Sequence, residues 1–335
     1  MKIGLSLSGL LQHTAESDMV QRFEEVLDLV RTARDCGFDY IYAGQHYLTT
    51  PYQMMQPLIS LARLSAETGN MGLLCTILVP LQNPVQMAED VATLDVISGG
   101  RVTINAALGY RDLEFDAFGI EKNTRVQRMF ENLDIAKKLW SGEKVSFQNQ
   151  YIKISNTNIG ITPVQKPHPK IWIAANSDAM VRRISSRGEV WYMNPHSSLS
   201  NLKRQFELYK EDLSKNGHSL PTDIPIAREM FIARSRDDAY AIAGPFLESK
   251  YKAYAAWGQD KAISSHENFT SPFEVLSEDR FILGTPNDAI VILDQIRNLG
   301  VTHATLRLGW PGMNKRHIAS AIRLTSEEVI PSLKS

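Results

Sequence analysis

Two side chains in this sequence have types and positions that could do chemistry. His46 directly follows a short apolar run at 38–43, and a histidine can donate or remove a proton near neutral pH. Ser177 stands at the predicted start of a helix, where its hydroxyl and the free backbone N–H groups could hold an anion. Each residue also has a plain structural interpretation: His46 could only hydrogen-bond its loop, and Ser177 could only cap the helix.

Each of these two residues follows a predicted strand, and the strands belong to a strand–helix unit that repeats along the chain. Residues 71–79 are nearly all apolar, which is typical of a strand buried on both faces of a parallel sheet. A helix from about Pro84 then carries an apolar stripe at three- and four-residue spacing. Gly99-Gly100 ends this helix, and 101–107 follows as the next buried strand. The stretch is therefore a β-α-β unit.

The unit recurs about eight times. The predicted strands are 2–8, 38–43, 71–79, 101–107, 170–175, 190–193, 226–234 and 303–308. Parallel strands joined by helices, without a dinucleotide-type glycine loop, favour an α/β fold of the (β/α)8 TIM-barrel type, formed as one domain over 1–335. In such barrels the functional residues lie at the C-terminal ends of the strands.

Capping signals and interruptions complete the prediction. Asp18 with Gln21, and Thr124 with Gln127, predict the N-terminal caps of two helices. Short β-like pieces within 141–169 predict a hairpin-like insertion. Residues 257–283 lack periodicity, which predicts a long loop or lid.

Composition excludes several classes of function. The net charge is −1, with 43% hydrophobic and 22% charged residues, so neither nucleic acid nor an anionic membrane is expected as a partner. No apolar run approaches the roughly 18 residues of a membrane span. Cys36 and Cys75 lie in apolar surroundings and are expected to be core residues in a reducing cytoplasm. The eight histidines are scattered, so no metal site is expected, and common nucleotide-binding and hydrolase motifs do not occur.

An ordered set of motifs gives a more specific indication. The sequence resembles the bacterial luciferase-like family of flavin-dependent monooxygenases over most of its length. The matching segments are Cys36-Gly37-Phe38-Asp39, Gln45-His46-Tyr47, Val79-Pro80-Leu81, Asn83-Pro84-Val85, 88–92, 94–101, Gly109-Tyr110, Glu114-Phe115, Phe118-Gly119 with Arg125, 163–167, 174–177 and 284–286.

The resemblance implies a bound flavin at the C-terminal end of the barrel. His46 matches the histidine that lies near the reactive part of the flavin in this family. Ser177 and the following amides would hold the phosphate of FMN, and Arg125 is a second phosphate candidate, with a solvent-exposed salt bridge as its alternative. The full set of residues implied to bind the cofactor is Cys75, Thr76, Ala107, Leu108, Tyr110, Arg111, Arg125, Asn176 and Ser177.

Some of these positions depart from the family pattern. Luciferases carry a reactive cysteine and then an arginine after the fourth strand, where this chain has Ala107 and Leu108; Arg111 could approach from the same loop. Gln45 replaces an acid beside the histidine. Cys75-Thr76 matches the place where the family often has a non-proline cis peptide, against the default of an ordinary trans bond.

Three hypotheses of function follow. The first is a monooxygenase that uses reduced FMN as a cosubstrate, with O2 and a small organic substrate. It would receive the reduced flavin from a separate flavin reductase, and it would form a homodimer as many relatives do. The second is a deazaflavin-dependent oxidoreductase that transfers hydride without oxygen. The third is a flavin-binding protein without turnover, which the Leu108 departure slightly favours.

Further polar and aromatic residues fall on or near strand ends. Arg228, Glu229 and Arg307 are charged within otherwise apolar strands, so either they form mutual ion pairs or they contact a ligand. Four large side chains could line an apolar substrate pocket or only fill the barrel ends. They are Tyr110, Trp191, Met193 and Trp310.

Overall fold

The computed structural model describes residues 1–260, 263 and 268–334. Eight parallel strands form a closed barrel, as the sequence predicts. In chain order they are β1 (Lys2–Ser6), β2 (Tyr40–Ala43), β3 (Gly72–Leu78), β4 (Val102–Ala107), β5 (Lys170–Ala175), β6 (Val190–Met193), β7 (Pro225–Ile232) and β8 (His303–Arg307). Each strand pairs with its sequence neighbours, and β8 closes the barrel against β1 with Leu5 opposite Leu306. The protein is therefore a (β/α)8 TIM barrel.

Helices surround the barrel and connect its strands. They are α1 (Met19–Asp35), α2 (Pro57–Leu64), α3 (Pro84–Ser98), α4 (Asp112–Ala117), α5 (Arg125–Trp140), α6 (Asp178–Ser185), α7 (Leu199–Lys215), α8 (Arg236–Ala256), α9 (Phe273–Ser277), α10 (Pro286–Asn298), α11 (Lys315–Leu324) and α12 (Ile330–Lys334). None of the helices in these ranges is long and apolar enough to cross a membrane.

Local signals explain most helix ends. The Asp18 carboxylate accepts hydrogen bonds from the backbone N–H groups of Val20 and Gln21, which confirms the predicted cap of α1. Gly99 ends α3 at φ = 66°, a left-handed conformation that glycine adopts without a steric penalty. The predicted capping box at Thr124 is wrong: the Thr124 hydroxyl donates to the Glu121 carbonyl instead, because a 3₁₀ turn (Lys122–Thr124) leads directly into α5.

Three small sheet elements lie outside the barrel. Gln12–Thr14 pairs with Tyr52–Met54, and Val145–Gln148 pairs with Lys153–Thr157, both antiparallel. The third, Ile282–Gly284, pairs parallel with β7. It begins within 257–283, and α9 lies inside that segment, so its second half is not all loop as predicted. Part of the predicted lid lies outside the described residues.

Most of the core lies between the barrel and its helices, and the barrel interior is filled by aromatic rings. Tyr40 packs edge-on to Trp172, whose ring stacks on Tyr192 at a centroid distance of 5.8 Å. The Tyr40 hydroxyl bonds the Thr305 hydroxyl at 2.9 Å across the interior. Gly4 makes room for the Tyr40 ring, because a Cβ at this position would lie 2.2 Å from it. This layer forms the floor beneath the C-terminal mouth of the barrel.

Candidate active site

A cavity of about 420 Å³ opens at the C-terminal ends of the barrel strands, a size typical of small-molecule sites. The structure brings eight of the ten predicted site residues to its wall, from loops and strand ends far apart in sequence. These eight are His46, Thr76, Ala107, Leu108, Tyr110, Arg125, Asn176 and Ser177. Within the described ranges, no group of three His, Cys, Asp or Glu side chains is placed to hold a metal ion.

His46 occupies the loop after β2 and is held from one side by a carboxylate. Its Nδ1 atom lies 3.2 Å from Oε1 of Glu114, and the same oxygen accepts a 2.8 Å hydrogen bond from the backbone N–H of Tyr47. A carboxylate oxygen accepts hydrogen bonds, so this contact suits the imidazole tautomer with its proton on Nδ1, in which Nε2 faces away from Glu114. The rings of Tyr110 and Trp257 contact the imidazole edge-on and restrict its rotation.

Glu114 is the partner to which sequence reasoning assigned no role, although it lies in one of the matching motifs. It projects from α4 and has no solvent exposure. Its second oxygen, Oε2, is buried without a hydrogen-bond partner. A buried acceptor without a partner costs stability, so the contacts of Oε1 indicate that Glu114 orients the histidine rather than stabilises the fold.

Arg111 lies behind the loop that carries His46 and is not part of the cavity wall. Its guanidinium donates to the carbonyl oxygens of Tyr47 and Leu48 at 2.6 and 3.0 Å, and it stacks on the Trp257 ring. It also lies 3.6 Å from Glu114. These contacts fix the path of the loop, so Arg111 acts on the cavity through His46 rather than directly.

Thr76 reaches the cavity, whereas Cys75 points away from it into the core. The peptide bond between them is trans, since the cis bonds in the described structure are Thr50-Pro51 and Lys166-Pro167. Of the two alternatives that the sequence left open for this bond, the structure has the ordinary trans form. Burial raises the pKa of the Cys75 thiol far above its usual value, so it stays protonated. The Thr76 hydroxyl donates to Tyr42 and accepts from Asn105, each at 2.9 Å, which gives the cavity a fixed polar floor.

A second group of predicted residues meets at the ends of β4 and β5. The Ser177 hydroxyl caps α6 by accepting from the Met180 N–H at 3.4 Å, so the serine lies at a helix N-terminus that faces the cavity. Arg125 begins α5 and lines the same wall. This side of the cavity combines a cation and a helix N-terminus, which together suit an anionic ligand. The Tyr110 hydroxyl, whose side chain also lines the cavity, is buried without a hydrogen-bond partner among the described residues.

The opposite wall, at the ends of β7 and β8, is charged. Arg307 lies 3.6 Å from Glu229, so this part of the predicted ion pair forms. Arg228 donates instead to the carbonyl oxygens of Ser197 and Asp279. Lys250 forms a close ion pair with Glu229, whose other oxygen accepts from Trp310 at 2.8 Å.

This charged wall contains functional candidates that sequence reasoning missed. Lys250 and Tyr254 belong to α8, a segment for which the sequence analysis makes no prediction and which contains Pro245. His196, from the loop after β6, also lines the cavity and contacts the rings of Tyr251 and Tyr254. Burial, and then the positive charge of Lys250, hold the pKa of His196 well below its usual value, so this imidazole is neutral.

Of the four large residues proposed as either pocket lining or barrel filling, Tyr110 lines the cavity. Trp191 and Met193 are buried in the core, where the Trp191 indole donates to the Ala175 carbonyl. Trp310 is also buried and serves Glu229 as a hydrogen-bond donor. The three are therefore structural with respect to this cavity.

Comparison with known proteins gives consistent matches. Residues 1–303 match the protein family described as luciferase-like monooxygenase. The FMNH(2)-dependent dimethylsulfone monooxygenase of Pseudomonas putida is 29% identical over 199 residues, which cover 57% of this chain and 54% of that protein.

Two solved structures share the fold over nearly the whole chain. Monooxygenase RslO1 from Streptomyces bottropensis superposes with a TM-score of 0.84 at 24% identity, covering 99% of this chain and 100% of that one. An F420-dependent secondary alcohol dehydrogenase in complex with an F420-acetone adduct gives 0.78 at 16% identity, covering 100% of this chain and 99% of that one.

Proposed function

The chain belongs to the luciferase-like monooxygenase family, and from this membership we propose that it uses reduced FMN and O2 to oxygenate a small organic substrate. One observation carries the proposal: the His46–Glu114 pair faces the same cavity as the anion-suited wall at Arg125 and Ser177. A proton-transfer group and a phosphate site in one cavity are what this chemistry requires. The name of the P. putida relative supports FMN as the flavin.

The residues present fit the flavin. Arg125 and Ser177 would hold its phosphate, and the unpartnered Tyr110 hydroxyl could donate to the same ligand. The remaining predicted lining residues would contact the rest of the cofactor, with Cys75 and Arg111 supporting the wall from behind. These lining residues are Thr76, Ala107, Leu108 and Asn176. Bound reduced FMN supplies the two electrons that activate O2, so that one oxygen atom enters the substrate and the other leaves as water.

The residues of this chain would control protons and water around that reaction. His46 would exchange a proton through Nε2, while Glu114 holds the ring in one tautomer and stabilises the imidazolium when it forms. The Tyr110 and Trp257 rings beside it would keep bulk water from the imidazole. Glu114 is thus a positioning residue, and His46 is the candidate catalytic residue.

Two partners belong to the proposal. The flavin would arrive reduced from a separate flavin reductase, as the resemblance to flavin-dependent monooxygenases implies. A second copy of the chain would pack on the neighbouring helices α2 and α3, which carry the exposed apolar side chains of Ile59, Val96 and Ile97. Light scattering of the purified protein tests the dimer.

The deciding experiment mixes the protein and reduced FMN rapidly with oxygenated buffer and follows the flavin absorbance. The expected result is a reoxidation time course that differs from that of free flavin. In His46→Ala the flavin should still bind while substrate turnover falls by about 10² or more. Reoxidation at the rate of free flavin would contradict the proposal. Reduction of coenzyme F420 by an alcohol, without oxygen consumption, would favour the deazaflavin hypothesis.

A further inference from the structure

The cavity wall carries charge of only one sign. The described residues that line it include the three arginines Arg125, Arg228 and Arg307 and two histidines, but no aspartate or glutamate. The whole chain has a net charge of −1, so this excess of positive charge is local to the cavity. A cleft lined by one sign of charge attracts and concentrates ligands of the opposite sign.

The three arginines do not serve one ligand group. Arg125 begins α5, between β4 and β5, and Ser177 follows β5, whereas Arg228 and Arg307 belong to β7 and β8. In a closed barrel of eight strands, β4 and β8 are four strands apart and lie on opposite sides of the mouth. A cofactor phosphate at Arg125 would therefore not engage the cations of the β7–β8 wall.

Arg307 is the better defined of these two cations. The one carboxylate within ion-pair distance of it, among the residues described, is Glu229 at 3.6 Å. Glu229 is already engaged, because its Oε1 pairs closely with Lys250 and its Oε2 accepts from Trp310. Besides Glu229, which it shares with Lys250, Arg307 has a hydrogen bond with the Tyr254 hydroxyl, and its side chain is only 11% exposed. A ligand carboxylate at Arg307 would gain charge-assisted hydrogen bonds in this largely desolvated position.

We propose that the substrate is a small organic acid whose carboxylate binds Arg307 on the β7–β8 wall. The planar guanidinium fork matches a carboxylate through two parallel hydrogen bonds, a geometry that a lysine cannot offer. Ala227 and the Tyr254 ring line the same wall and provide apolar contact for the rest of the molecule. This inference rests on the proposed function, since it assigns the substrate class of the same cavity.

The test measures binding by calorimetry, without turnover. Hexanoate and its uncharged analogue hexanamide are titrated into the protein saturated with oxidised FMN. Hexanoate should bind at least about tenfold more tightly than hexanamide, the size of a hydrogen bond to a charged group. Arg307→Met should abolish this preference, whereas Arg125→Met should keep it while weakening FMN binding.

A second variant covers the case in which Arg307→Met does not fold. Arg307→Lys keeps the positive charge but cannot make two parallel hydrogen bonds to a carboxylate. Its preference for hexanoate over hexanamide should therefore fall about threefold or more. Equal binding of the two probes, a preference unchanged in Arg307→Lys, or a preference lost in Arg125→Met would overturn the inference. If FMN fails to bind while the Arg307-dependent preference persists, the FMN proposal fails and the acid site stands.

Discussion

His46 Nδ1 and Glu114 Oε1 lie 3.2 Å apart, although 68 residues separate them in the chain. The carboxylate is fully buried and also receives the N–H of the residue that follows the histidine. One oxygen therefore fixes both the imidazole ring and the backbone beside it. A fixed ring is a condition for efficient proton transfer, because the reacting nitrogen must stay within hydrogen-bond reach of its partner.

Replacing Glu114 with Gln should lower kcat by about tenfold or more and leave FMN affinity unchanged, because the variant keeps the shape and removes the charge. In a His46→Ala background the same substitution should have no further effect, since its influence passes through the imidazole. Steady-state kinetics of the parent, the two single variants and the double variant give the coupling free energy between the two substitutions. Asp112→Asn, on the exposed side of α4, is the matched control. A loss of equal size with and without His46 would mean that Glu114 acts on the fold.

Arg125→Met should weaken FMN binding by about 10- to 100-fold, because a hydrogen bond between two charged groups contributes on the order of 1.5–3 kcal/mol. Riboflavin, which lacks the phosphate, should bind the variant and the parent alike. Fluorescence titration with both flavins separates the two effects. Arg128→Met is the control: Arg128 lies one turn along α5, stacks on Tyr151 and does not line the cavity. Equal losses for both flavins would remove Arg125 from the phosphate site.

The barrel could be predicted from the sequence because its signals are local. A parallel strand buried on both faces is a continuous apolar run, and a glycine such as Gly99 marks the helix end that follows. The same local logic gives no prediction at α8, where Gly244-Pro245 suggests a break although the helix continues through it. It failed at Thr124, since a 3₁₀ turn before α5 leaves the hydroxyl no amide to accept from.

A site residue could be predicted from the sequence only where its own helix or strand determines where it lies. Ser177 is recognisable because a serine before a helix has one obvious place, at the N-terminus. Glu114 and Lys250 act through partners 68 and 21 residues away, and no periodicity in the sequence specifies such pairs. Arg111 shows the limit of position alone, since its place after β4 suits a ligand contact while its guanidinium binds the loop carbonyls.

Gly4→Ala should destabilise the barrel by about 1–3 kcal/mol, the usual cost of overpacking a core. The new Cβ would lie 2.2–2.5 Å from three ring carbons of Tyr40, which is held in place by its hydrogen bond to Thr305. Gly160→Ala is the control, because a Cβ there meets no atom within 4 Å. Thermal unfolding of both variants is the measurement. An unchanged melting temperature for Gly4→Ala would show that the Tyr40 ring can move aside.

The buried pair of Lys250 and Glu229 should make stability depend on pH. Burial, and then the Arg307 guanidinium, lower the pKa of Lys250 from 10.5 to about 7; Glu229 opposes this shift, and the neutral His196 is the other titratable neighbour. Below pH 7 the lysine is protonated in both states, and the folded state bears the full cost of the buried charge. Between about pH 7 and 10.5 the unfolded chain alone keeps the proton, so the free energy of unfolding rises with pH, by up to about 1.4 kcal/mol per unit.

Denaturant unfolding between pH 6.5 and 9.5 measures this rise, and Lys250→Met should remove it while Glu229 keeps Arg307 as its cation. Lys252→Met, two residues further along α8, should retain the rise, because Lys252 is 69% exposed and pairs with Glu248 in its own helix. Both variants keep every other group that titrates in this range, so the difference between their free energies of unfolding reports Lys250. Parallel curves for the parent and Lys250→Met would mean that the lysine stays charged throughout, so the wall beside Arg307 would carry its full positive charge above pH 7 as well.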